Sequence, residues 1–309
     1  MRLAVLFLGL FGAAFAGGAE DLRPMLDRLS EEAAAFRSLA PKLIGQEALQ
    51  QLARRQSRRF RPRVGAGAYQ PPPIKEYNKE IVSEYGFTAL RESPDSLVEI
   101  REVVAVDGKQ VREKERARER LALSLQSDND ATKKKLLSEF ARHGLRGAAT
   151  DFGQIILLFR RHVIDNYEFR LIREANLGPH QVVVLSYEQR QGPEALTVFS
   201  GDETRRLSVG GEIWLRRPDW APLVITLESR VSEEGHITAH RGVVEYYESA
   251  YGLMLPVNMR YEKLYDGEPT LRLSADYSAF QMFDVQTEIK FTPVAPTGAP
   301  AAGPPPGRH

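Results

Sequence analysis

From Ile74 to about Phe291, outside residues 111–159, apolar residues recur largely at every second position, and this rhythm limits the fold more than any other feature of the chain. Alternation puts apolar side chains on one face of a pleated strand and polar ones on the other. Residues 79–90 and 97–106 read as strands. In the second, Val98, Ile100, Val104 and Val106 share a face, with Glu99 and Arg101 on the other. Asp107-Gly108 is a hairpin turn signal. After residue 165 the pattern becomes a long meander. Tyr167, Phe169 and Leu171 alternate with Glu168 and Arg170, and strands follow at 181–189, 195–200, Gly211–Leu215, 221–230, 237–248, 257–265, 270–277 and 285–291. Pro218-Asp219 and Asp266-Gly267 mark turns within it. One-sided alternation implies an antiparallel sheet with one wet face. The expected fold is therefore mainly β (α+β): a curved antiparallel sheet, or open half-barrel, covered by helices and preceded by an N-terminal helical extension.

Two regions have a helical period instead. Leu22, Met25, Leu26, Leu29, Ala33 and Phe36 form an apolar stripe. Pro41 interrupts it, and a second amphipathic stretch runs from Leu43 to Leu52. Residues 20–63 are thus expected to be a helical extension, 64–73 a linker containing Pro71-Pro72-Pro73, and 74–291 the sheet domain. Charged helices are inserted at about 111–143, with Ser127, Asp128 or Asp130 placed to cap the second and Gly144 to end it. Phe152–Phe159 (FGQIILLF) fits either a buried helical turn or a strand. The Pro/Gly/Ala-rich residues 292–309 are expected to form a disordered tail.

Met1-Arg2, the apolar run Leu3–Ala16 and small residues up to Ala19 read as a cleavable secretory signal over residues 1–19. The run is too short to span about 30 Å of hydrocarbon. No later segment approaches a spanning length, so no membrane span is expected after cleavage, and the product is expected to be periplasmic or secreted. The chain has no cysteine, which excludes disulfides, thiolate catalysis and zinc–thiolate sites. Lys plus Arg is 42 and Asp plus Glu is 41, and Arg2 lies in the signal. The near-zero balance gives no general attraction to nucleic acid. One local exception is the run from Arg54 to Arg63, where Arg54, Arg55, Arg58, Arg59, Arg61 and Arg63 fall within ten residues. It reads either as a contact for an anionic surface or as a solvated helix end entering a linker.

No Gly-x-Ser-x-Gly elbow, His-Glu-x-x-His, phosphate loop or Gly-x-Gly-x-x-Gly occurs. His236 and His240 would share a face on a helix, but their surroundings alternate. On a strand the two rings lie roughly 13 Å apart, too far for one ion, and both are expected to be exposed. No catalytic residue, metal site or cofactor is expected. Tyr246, Tyr247, Tyr251, Tyr261, Tyr265, Tyr277, Phe280 and Phe283 lack interleaved basic residues and are expected to pack the core.

The segments VDGKQV, EFARHGL, GEIWLRRPDWAPLVITLES, YGLMLPVNMRYE and YSAFQMFDVQTEIKF resemble, over residues 75–291, a group of secreted bacterial proteins of unknown function common in acidobacteria. The GEIWL strand, the turn at Pro218 and the following Leu223-Val224-Ile225 also resemble a repeat of outer-membrane lipoprotein-sorting proteins. That second resemblance implies an open half-barrel with helices on its concave side, and a concave apolar face that carries lipid or acyl chains. The sequence departs from it in the charged helices at 111–143 and in the N-terminal extension. The expected role is a non-catalytic exported protein that takes a lipid or lipidated protein against Leu223, Ile225, Leu227, Tyr246, Met259 and Tyr261. The alternative is a cell-envelope scaffold that uses the arginine run and the Pro-rich tail.

Overall fold

The computed structural model describes residues 21–56, 74–143, 145, 151–193, 195–200, 203–283 and 291–292. Helix α1 (Arg23–Leu39) has Pro24 in its first turn, where no amide hydrogen bond is lost. Its stripe of Met25, Leu29, Ala33 and Phe36 is fully buried, with Met25, Leu29 and Phe36 each contributing about 1.5–3 kcal/mol of hydrophobic stabilisation. A 3-10 turn, Ala40–Lys42, then leads into a strand, β1 (Leu43–Gln56).

That strand corrects the helical expectation for Leu43–Leu52. Strand β1 pairs over its length with β2 (Ile74–Leu90) on one side and β13 (Glu268–Phe283) on the other. Its Leu, Ala, Gln and Glu residues favour helix weakly. Two flanking strands with open hydrogen-bonding edges outweigh a propensity of tenths of a kcal/mol per residue. The helical extension is thus α1 alone, and β1 belongs to the sheet.

The remaining strands are β3 (Ser93–Val106), β4 (Lys109–Gln110), β5 (Tyr167–Leu177), β6 (His180–Gln189), β7 (Leu196–Ser200), β8 (Glu203–Leu207), β9 (Gly210–Arg216), β10 (Pro222–Glu233), β11 (His236–Glu248), β12 (Met254–Tyr265) and β14 (Phe291–Thr292). Among the described residues twelve strands form one sheet in the order β4-β3-β2-β1-β13-β12-β11-β10-β9-β6-β5, with β14 beside β13; β7 and β8 form a separate hairpin. The pairs are antiparallel throughout. The sheet does not close. Its β5 edge is blunted by a bulge at Ile172 and by Glu168, Arg170, Arg173 and Glu174. Three hairpins turn on a positive-φ residue followed by glycine: Asp107-Gly108, Glu234-Gly235 and Asp266-Gly267. These are the backbone values that a two-residue turn between twisted strands requires.

One apolar cluster runs from Leu97 on β3 to Tyr167 on β5 and takes in α1 and residues 152–159. Side chains from both ends of the open sheet therefore converge on its inner, concave face, as in a curved half-barrel. Helices α2 (Lys114–Gln126) and α3 (Asp130–Ala141) cover the other face at the β1–β3 end, where Leu121, Ala122 and Leu136 pack on Ile44, Ile100 and Phe283. The cap of α3 is Asn129, whose side chain accepts from Ala131 N at 2.9 Å, rather than Ser127, Asp128 or Asp130. Gly144, the linker 64–73, the signal segment and the tail beyond Thr292 lie outside the described residues, as does most of the strand expected at 285–291.

Candidate functional site

Residues 152–159 decide what the inner face can hold. Phe152, Ile155, Ile156, Leu157 and Phe159 are buried, and Ile155–Phe159 forms a 3-10 helix rather than a strand or an α-helix. The segment lies across the strands. Its Phe152 ring rests 4.9 Å from that of Tyr261, and Phe159 packs edge-on against Tyr187 at 5.0 Å. Between them the Tyr246 hydroxyl accepts from Ile156 N and donates to the Gly153 carbonyl, both at 3.2 Å. Ser30 of α1 donates to the Phe159 carbonyl at 3.0 Å. Glycine is required at 153, because a Cβ there would stand 2.5 Å from the Tyr85 hydroxyl and 3.1 Å from Glu99 Oε1.

The six residues expected to line an apolar site, Leu223, Ile225, Leu227, Tyr246, Met259 and Tyr261, are all buried in the inner cluster. Two of them, Tyr246 and Tyr261, touch the 152–159 segment directly. Of the arginine run, Arg54 pairs with Glu76 across the strands at 2.9 Å, and Arg55 is the strand partner of Lys75. Arg58, Arg59, Arg61 and Arg63 lie outside the described residues. A cavity of about 380 Å³ opens beside Tyr261 and is lined mainly by polar residues, among them Gln50, Asn78, Arg260, Arg272 and Ser274.

The sequence reading missed a buried charged cluster at the start of the 152–159 segment. Arg101 donates through Nε and Nη2 to Glu47 at 2.5 and 2.9 Å, and through Nη2 to Glu99 at 2.5 Å. Its Nη1 stands 3.6 Å from Asp151. The guanidinium lies between the rings of Tyr85 and Phe140, at 5.2 and 4.9 Å. Strand register assembles the group: Glu47 sits between Ser83 and Tyr277, and Arg101 lies opposite Tyr85. Four buried atoms here make no hydrogen bond among the described residues: Ser83 Oγ, Tyr85 Oη, Tyr277 Oη and Glu99 Oε1. Burial drives the Glu99 carboxyl well above the ordinary carboxylate range, against the pull of the Arg101 charge beside it. Glu99 and Arg101 therefore face the core, the reverse of a wet face.

The histidines also separate. His236 is exposed and pairs with Asp266 at 2.7 Å. His240, expected to be exposed, is buried and bonds the Tyr261 hydroxyl through Nδ1 at 2.7 Å. Burial lowers its pKa to about 4, so the ring is neutral near pH 7, and its tautomer sets which partner of this hydrogen bond donates. Among the described residues no group of three His, Asp or Glu side chains is disposed to hold a metal ion, and no helix is long and apolar enough to cross a membrane.

No family model and no curated protein matches the chain. Among the solved structures that resemble it are two of bacterial proteins. One is a DUF1329 family protein from Desulfovibrio piger, at 11% identity and a TM-score of 0.36, with 87% of this chain and 96% of that one covered. The other, a domain assigned to outer membrane lipoprotein sorting from Vibrio parahaemolyticus, shares 10% identity at a TM-score of 0.32 over 86% and 93% of the two chains. Similarity at that level says nothing of what this chain binds.

Proposed function

We propose that the protein is a non-catalytic carrier that takes a single apolar chain along the inner face of its sheet, in the track that residues 152–159 fill. The observation that supports this reading is the nature of the filler. A sheet of this size closes its inner face here with a short 3-10 segment, the helix type with poorer hydrogen-bond geometry. Magnitudes favour exchange. Five buried apolar side chains contribute about 8–15 kcal/mol, and a sixteen-carbon chain contributes about 12 kcal/mol at 0.8 kcal/mol per methylene. The two are close enough for ligand concentration to set the outcome. Leu223, Ile225, Leu227, Tyr246, Met259 and Tyr261 then line the occupied track. The apolar leader at residues 1–19 supports a periplasmic or secreted site of action.

Native mass spectrometry of the full chain, purified from its host and again after incubation with palmitate, tests the reading. The expected result is a one-to-one lipid complex in which amide exchange rises across 152–159. Protein that carries no lipid in either preparation overturns it.

A further inference from the structure

Building on the carrier reading, we propose that the ligand is a single-chain amphiphile with a carboxylate head, a fatty acid, whose head group takes the place beside Arg101 that the Asp151 side chain now occupies, within reach of the Tyr85 and Tyr277 hydroxyls. The covalent order of the chain segment carries the idea. Asp151 presents a carboxylate to Arg101 at 3.6 Å, and five of the next eight residues, Phe152, Ile155, Ile156, Leu157 and Phe159, bury apolar side chains across the inner face as far as Tyr187. An anionic head followed by an apolar tail is the plan of a fatty acid. The Asp151 side chain is 41% exposed, so this end of the track meets water, where a head group enters.

The partnerless hydroxyls supply the second observation. Tyr85 and Tyr277 are buried, their rings are 5.0 Å apart, and neither hydroxyl has a hydrogen bond among the described residues. Tyr85 Oη stands 2.5 Å from where a side chain on Gly153 would begin, so it points at the start of the filling segment. Buried donors without acceptors are rare in native proteins and call for a ligand or a bound water. The charge count fits one carboxylate. Arg101 is already balanced by Glu47, and burial pushes the Glu99 carboxyl toward its neutral form, against the pull of the Arg101 charge. One ligand carboxylate would then stand where the one Asp151 carboxylate stands, whereas a dianionic head would bring an additional negative charge.

The test uses the full chain with three probes of equal chain length: palmitate, hexadecanol and hexadecyltrimethylammonium, measured by isothermal titration calorimetry below their critical micelle concentrations. Arg101 is left intact because its loss strands Glu47 in the core. Palmitate is expected to bind about tenfold more tightly than hexadecanol, the scale of one hydrogen bond to a charged group. The ammonium is expected to bind least. Tyr85→Phe and Tyr277→Phe each weaken palmitate about tenfold and leave hexadecanol unchanged, and Asp151→Asn tightens palmitate. Equal binding of palmitate and hexadecanol, insensitive to both Tyr→Phe changes, overturns the head-group assignment while the carrier reading stands. Binding of none of the three overturns the carrier reading as well. A bound water alone at the hydroxyls predicts that equal-binding result.

Discussion

Arg101 on β3 grips Glu47 on β1 through two hydrogen bonds, 2.5 and 2.9 Å long, although 54 positions separate them in the chain. Both side chains are almost wholly inaccessible. Removing one partner from such a pair strands a charge in the core and costs about 3–5 kcal/mol, whereas replacing both by apolar residues is often close to neutral. Glu47→Leu is therefore expected to lower unfolding free energy by about 3–5 kcal/mol, and Glu47→Leu with Arg101→Met to recover only part of that loss, because Glu99 and Asp151 then lose their cation. Urea denaturation of the two variants and the parent checks this. Equal stability of the single and double variants would contradict it.

Gly153→Ala probes the fit of the filling segment. A methyl group there meets the Tyr85 hydroxyl at 2.5 Å, and a fully buried tyrosine has little room to move. Overpacking of this kind costs about 1–3 kcal/mol. The variant is expected to lose that stability and to show faster amide exchange over Ile155–Phe159. Adding Tyr85→Phe removes the clashing oxygen and should restore both. A Gly153→Ala protein with parental exchange would show that the segment is looser than the contacts indicate.

His240 sets a pH dependence. Its pKa is lowered by burial from the usual 6.5 to about 4, so between these values the unfolded chain binds a proton that the folded one refuses. Stability therefore falls as pH drops from about 6.5 to about 4, by roughly 3 kcal/mol at 1.36 kcal/mol per unit. Below pH 4 this contribution changes no further. His240→Gln keeps an acceptor for Tyr261 and should flatten that part of the profile. Urea unfolding at half-unit pH steps decides the point, and an unchanged slope in the variant would contradict the assignment.

Helix α2 is docked by a second buried carboxylate. Glu84 accepts from Gln46 Nε2 at 3.0 Å and from Arg118 Nε at 2.7 Å, and Arg118 Nη1 also donates to Gln281 at 2.6 Å. Arg118→Met leaves the buried Glu84 carboxyl without its cation, with an expected loss of about 2–4 kcal/mol. Glu84→Gln in the same chain should return part of it. Thermal melting resolves these steps at several degrees per kcal/mol.

The alternating pattern by itself determined that this protein is an antiparallel sheet, and where the hairpins at Asp107-Gly108 and Asp266-Gly267 fall. It did so because the pleat has a period of two and a turn with positive φ selects particular residues. Only the tertiary structure decided which face of a strand points inward. On β3 the apolar Ile100 lies under α2 and α3, while Glu99 and Arg101 point to the core. The two faces are equivalent in a one-dimensional pattern until something packs on them. Strand β1 was hidden for the same reason. Its inward positions include Glu47 and Gln51, which break the apolar alternation, and these polar residues can be buried only because Arg101 and the neighbouring strands arrive from far along the chain to meet them.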